Sequence, residues 1–196
     1  MKEIYAKIWS LAKPHYSKGR PYDIPHIEWM MKEVERISKI ERFDEDFLMA
    51  LCILHDVGYS TLSEENPNPK NKDSKKEHME AGSKIAKEIL EKVDYPENEI
   101  EKIIRAISVH DNWCLGDDSP YKESKEMALF TDLDFLYAQS SLFVLQHQAN
   151  SMGKKVEDMI DFWINDEKHI RRPFYCKETK RMFEEYINQR KKELKK

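Results

Sequence analysis

Imidazole and carboxylate groups recur along this sequence in a spaced order: His26, the adjacent pair His55 and Asp56, His78, His110 beside Asp111, and then Asp132 and Asp134. The pair His55-Asp56 follows the most apolar stretch of the chain, the run Phe47–Leu54 in DFLMALCILHDVGY, and is therefore expected in the interior. Burying an ionised carboxylate costs far more than one hydrogen bond returns, so a buried aspartate is normally paired, protonated or bound to a metal. Neutral imidazole and carboxylate suit borderline to hard divalent ions: Mn²⁺, Fe²⁺, Co²⁺, Ni²⁺, Zn²⁺ or Mg²⁺. A set without thiolates argues against a closed structural zinc site. An ion with open positions lowers the pKa of bound water toward roughly 7 and polarises the oxygen of a bound group, which is the chemistry of metal-assisted hydrolysis.

Helices have to position these groups. His26 begins a helix expected to run to about Ile40, with Ile27, Met30, Val34 and Ile37 as its apolar stripe. The run Phe47–Leu54 follows Asp44, Glu45 and Asp46, which suit a helix N-terminus. Only Ile53 in it is β-branched, so it reads as a helix buried on nearly all sides rather than a strand. His78 extends the stripe of Gly82, Ile85 and Ile89 in a helix expected from Lys76 to Val93. His110 continues Ile100, Ile103 and Ile107 in a helix from Glu97. Asp134 shares a face with Met127, Phe130 and Tyr137, and Asp132 lies with Leu129 and Leu136. One inward stripe after another thus carries an imidazole or carboxylate near a helix end, and the groups are expected to converge. His15, His147 and His169 lie outside this pattern and read as ordinary structural residues.

Elsewhere, an N-terminal helix carrying Ile4, Ile8 and Leu11 is expected to stop at Pro14. The polar stretch STLSEENPNPKNKDSKK reads as a long loop of the kind that forms lids or mobile segments. The tail from Lys154 reads as two helices broken near RRPF.

The ordered set resembles the HD-domain superfamily of metal-dependent phosphohydrolases, on His26 in PHIEWMMKEV, His55 and Asp56 in LHDVGY, and Asp134 in FTDLDFLYA. The resemblance implies an all-α, single-domain HD-type helical bundle with the metal site among the central helices. The HD core would cover about residues 20–140, with a C-terminal helical extension over about 154–196. It implies metal ligation by His26, His55, Asp56 and Asp134, with Asp132 as the alternative for the last. EHMEAG and SVHD resemble the extra histidines of dinuclear members, in which the aspartate of the HD pair bridges two ions. On that reading Asp56, His78 and His110 take a second ion; around a single ion, His78 and His110 would instead contact substrate. One or two divalent ions per chain are therefore expected. GRPYDIPHI is similar to the opening of a subset of HD hydrolases with a Tyr-His pair, but this chain has Tyr22-Asp23 there. Asp111 is a candidate general acid or a group orienting a ligand imidazole. Arg20, Lys75 and Lys76 lie near the ligand ends and are candidates for neutralising a phosphate. Two other readings keep the same residues: a dinuclear iron oxygenase, and a catalytically silent module that senses a nucleotide.

Composition narrows the partners. In 196 residues, 33 basic and 37 acidic side chains are intermixed to a net charge of −4, leaving no basic stripe for a nucleic acid polymer. A small-molecule partner is the better default, and the resemblance to HD phosphohydrolases implies a phosphorylated one of the nucleotide kind. No apolar run approaches the roughly 20 residues of a membrane-spanning helix, and the first residues have no signal-peptide core. The three widely spaced cysteines, Cys52, Cys114 and Cys176, read as reduced thiols of a cytoplasmic protein.

Overall fold

The structure, a computed structural model, describes residues 2–62, 71–165, 170 and 173–195. Among them nine α-helices and no strand are found: α1 (Glu3–Gly19), α2 (Ile24–Ser38), α3 (Glu45–Leu54), α4 (Lys72–Lys92), α5 (Glu97–Val109), α6 (Lys125–Tyr137), α7 (Leu142–Ser151), α8 (Val156–Ile164) and α9 (Lys177–Glu193). The all-α expectation holds. The chain divides into two compact units, Met1–Met127 and Ala128–Lys196, with the boundary inside α6. No helix among the described residues is long and apolar enough to cross a membrane.

In the first unit α3 is the central helix, packed against α1, α2 and α5. Asp44 starts it by accepting the Phe47 backbone N–H at 3.0 Å, and every residue from Leu48 to Leu54 is buried. From Leu48 on, the apolar run is thus a helix enclosed on all sides, with Phe47 half-buried at its start. Ile27, Met30, Val34 and Ile37 of α2 and Ile100, Ile103 and Ile107 of α5 turn inward as their spacing predicts.

Two boundaries differ from expectation. Helix α1 does not stop at Pro14 but continues to Gly19. Proline removes the bond to the Ser10 carbonyl, and Ser10 and Pro14 are both exposed, so the loss falls on the solvent side. The opposite face holds the helix together: Ala12 and Tyr16 are buried, and the Tyr16 hydroxyl donates to the Ile53 carbonyl at 2.9 Å. At its end Gly19 lies so close to the chain at Tyr59 and Ser60 that a Cβ would come within 2.7 Å of the Ser60 nitrogen. Tyr16→Phe leaves the buried Ile53 carbonyl short of a donor, and a loss of about 1–2 kcal/mol in urea denaturation is expected.

Helix α4 starts before Lys76, at Lys72, because Asn71 caps it by accepting the Asp73 N–H at 3.0 Å. This brings Ser74 and Lys75 into the helix. The expected polar loop falls partly on residues 63–70, outside the described residues, as do His169 and residues 171–172 of RRPF.

In the second unit α8 packs with α7 and α9. Phe135, Phe174 and Phe183 form a ring cluster with centroids 5.1–6.1 Å apart. Among the described residues the tail contains α8 and α9, and residue 170 between them is also helical. Helix α7 is unforeseen: its Phe143 is exposed and its sequence is rich in Gln and Asn, so no clear stripe marks it, while Ser141 caps it through the Val144 N–H.

Candidate metal centre

Two helices of the first unit end in the same way. His55 closes α3 and His110 closes α5. The aspartate after each leaves the helical region, Asp56 at φ −105°, ψ 6° and Asp111 at φ −108°, ψ 15°, and a 3₁₀ turn follows, Val57–Thr61 and Asn112–Leu115. The second corner is anchored by Tyr121, whose hydroxyl donates to the His110 carbonyl at 2.8 Å.

The imidazoles are oriented by their own helices. Nδ1 of His55 lies 3.0 Å from the Cys52 carbonyl, Nδ1 of His78 3.1 Å from that of Ser74, and Nδ1 of His110 2.8 Å from that of Ile107. A carbonyl only accepts, so each Nδ1 carries a proton and each Nε2 is turned toward the centre with a lone pair to offer. The early start of α4 matters here, because it puts the Ser74 carbonyl in helical register beneath His78.

Asp56 sits between these rings with an oxygen for each side. Its Oδ1 is 3.3 Å from His110 Nε2 and 3.5 Å from His78 Nε2, and its Oδ2 is 3.5 Å from His55 Nε2. His26, buried in the first turn of α2, presents its ring 5.6 Å from that of His55. Asp111 Oδ2 is 3.5 Å from His78 Nε2 and 3.7 Å from His110 Nε2. Ligand atoms of Asp56, His78, His110 and Asp111 all lie within 4.8 Å of one another, and all four residues are buried.

This arrangement fits a divalent ion. Nitrogen and oxygen atoms bound to one ion at about 2.0–2.2 Å stand about 3–3.5 Å apart, close to the separations found here. His78 Nε2 and His110 Nε2 face each other at 3.2 Å. With both Nδ1 protonated, two lone pairs at that distance need a cation or a proton between them.

Neighbouring charges offset burial around the centre. Burial alone would raise the Asp56 carboxyl, but His55, His110, His78 and Arg20 hold it well below the ordinary carboxylate range. Burial likewise opposes ionisation of Asp111, and Lys75, His110 and His78 overcome it. Burial would lower both His78 and His110; it prevails at His78, whereas Asp111 and Asp56 raise His110 above its usual value.

Cations line one edge. Arg20 contacts Asp23 at 2.8 Å and reaches to 4.0 Å from Asp56 Oδ2. Asp23 thus holds this arginine. Lys75 forms a partly buried ion pair with Asp111. Both approach the Tyr59 ring, Arg20 at 4.2 Å and Lys75 at 5.8 Å from its centroid, while that ring stacks on His78 at 4.2 Å and 9°. Lys76 is exposed and joins none of these contacts.

The first unit therefore brings together His26, His55, Asp56, His78, His110, Asp111, Arg20 and Lys75. Asp134 lies half-buried on α6 in the second unit. Asp132 is buried there, its Oδ2 accepting from the Tyr175 N–H at 2.8 Å and the Thr179 hydroxyl at 2.7 Å. His15 meets the Ser60 hydroxyl at 3.0 Å and His147 is exposed. None of the three cysteines is in a disulfide. Sequence reasoning missed Tyr59, Tyr121 and Trp113, whose indole N–H donates to Asp111 Oδ1 at 2.9 Å. The repeated His-Asp dipeptide, each after an apolar helical stripe, was the signal that could have drawn attention to the second corner.

An all-α fold that closes two of its helices on His-Asp corners and gathers buried imidazoles around a shared carboxylate has the donor set of a divalent-metal site. The HD domain matches residues 24–136, more than half of the chain, and the protein belongs to that family. No curated protein and no solved structure matches it significantly.

Proposed function

We propose that the protein is a divalent-metal-dependent phosphohydrolase acting on a phosphorylated small molecule of the nucleotide kind, rather than on a nucleic acid polymer. The observation that carries this reading is Asp56, buried with one oxygen toward His55 and the other toward His78 and His110. His26, His55 and Asp56 would hold one ion, and Asp56, His78 and His110 a second. On the family's sequence motif Asp134 completes the first set, with Asp132 as the alternative; Asp132 Oδ2 accepts from the Tyr175 N–H and the Thr179 hydroxyl.

A bound divalent ion would supply hydroxide near neutral pH and polarise the phosphoryl oxygen. The chain's own contribution is orientation and charge. The carbonyls of Cys52, Ser74 and Ile107 fix the imidazoles, and Arg20, steadied by Asp23, offers a planar guanidinium to a phosphate beside Asp56.

The test is phosphate release from p-nitrophenyl phosphate and from a panel of nucleoside mono-, di- and triphosphates, with Mn²⁺ or Fe²⁺ and in the absence of oxygen. Release that a chelator abolishes is the expected result. Oxygen consumption without anaerobic hydrolysis would point to an oxygenase, and nucleotide binding with no turnover under any ion to a sensor; either overturns the reading.

A further inference from the structure

Asp111 has no part in the scheme above, yet its corner repeats that of Asp56. In both, a histidine closes a helix with Nδ1 on a carbonyl of its last turn, and the aspartate takes nearly the same backbone angles before a 3₁₀ turn. The two oxygens of Asp111 are differently engaged. Oδ1 accepts the Trp113 indole N–H at 2.9 Å, which fixes the plane of the carboxylate. Oδ2 faces His78 Nε2 at 3.5 Å and His110 Nε2 at 3.7 Å, and the same oxygen contacts the Lys75 ammonium. One atom is therefore placed for both an ion and a lysine.

We propose that Asp111 is a ligand of the ion held by Asp56, His78 and His110, and that Lys75 is a built-in cation competing with that ion for Asp111 Oδ2. The inference rests on the metal reading above and adds to it how tightly this position is filled. Three buried carboxylates, Asp23, Asp56 and Asp111, are met by two side-chain cations, Arg20 and Lys75. Removing the lysine charge makes the centre more negative and frees Oδ2, and both changes favour a dication. Removing the Asp111 charge does the opposite. Lys75 is a positioning residue here, acting on the ion through a shared oxygen.

Calorimetric titration of the metal-free full chain with Mn²⁺, supported by electron paramagnetic resonance of free Mn²⁺, reads this directly. Lys75→Met is expected to tighten binding at this position by about tenfold or more, since an ammonium a few ångströms from a dication repels it strongly at low dielectric. Lys75→Arg, which keeps the charge, is expected to stay near the parent value. Asp111→Asn is expected to weaken binding, and combining it with Lys75→Met is expected to erase the gain. Unchanged or weaker binding in Lys75→Met, or parental binding in Asp111→Asn, overturns the proposal while leaving the metal reading intact. A parent chain that takes up no Mn²⁺ overturns both. If Lys75→Met and Lys75→Gln are both unfolded by circular dichroism, the lysine is a structural counter-ion and the proposal fails.

Discussion

Asp56→Asn is expected to lose most of its bound divalent ion and to lower phosphate-ester hydrolysis by about 10³-fold, the scale seen when one preorganised electrostatic group is removed from an active site. The carboxamide matches the shape of the carboxylate but lacks its charge, and an amide nitrogen would replace one of the two oxygens. One side of the centre would therefore lose its ligand oxygen: either the His55 side, at 3.5 Å, or the side of His78 and His110, at 3.5 and 3.3 Å. Arg20, which reaches toward Asp56 Oδ2, would also lose a counter-charge. Elemental analysis of protein purified without chelators, with circular dichroism to establish that the helices persist, measures the effect. A folded variant retaining the parent's full complement of metal would remove Asp56 from the ligand set.

Gly58→Ala is expected to be the most damaging small substitution in the first unit, lowering stability by about 3 kcal/mol or more. A Cβ at Gly58 would lie 1.9 Å from the His78 carbonyl oxygen and 2.6 Å from the Gly82 nitrogen. These are backbone atoms of α4, so no side chain can rotate to make room, and the helix must move. Because His78 is a residue it displaces, ion binding should fall together with stability. Gly82→Ala is the control. Its Cβ would meet a side-chain methyl of Ile107 at 3.3 Å and backbone atoms at 3.5 Å. The roughly 1 kcal/mol that alanine gains over glycine within a helix offsets that crowding, so a near-neutral result is expected. Urea denaturation of the two variants side by side decides; parental stability in Gly58→Ala would mean that α4 does not approach the turn this closely.

The parts of the fold and site that were legible in the sequence are those written in local periodicity. The stripes of α2 and α5 and the enclosed run of α3 predicted their own burial, and the place of each histidine on or beyond its stripe predicted that His26, His55, His78 and His110 face inward. What was not legible depends on contacts distant in sequence. Pro14 looks like a stop until the Tyr16 hydroxyl is seen on the Ile53 carbonyl and Gly19 against the Tyr59–Ser60 backbone. The start of α4 looks like loop because its lysines carry no apolar stripe, whereas the Asn71 cap that fixes it leaves little trace in composition. Asp111 reads as a general acid or an orienting neighbour of His110, and its contacts with Lys75, Trp113 and His78, each on a different turn of the chain, are invisible in the sequence.

The helix endings at His55 and His110 have an electrostatic consequence independent of any side chain. A helix carries the equivalent of roughly half a negative charge at its C-terminus, so α3 and α5 together offer the centre roughly one electron's worth of backbone field. Point substitutions cannot remove that share. Variants in the ligand shell should accordingly be leaky, keeping a residual preference for cations over anions. A chelator, which acts on the ion rather than on the field, should clear the parent protein more completely than any single substitution does.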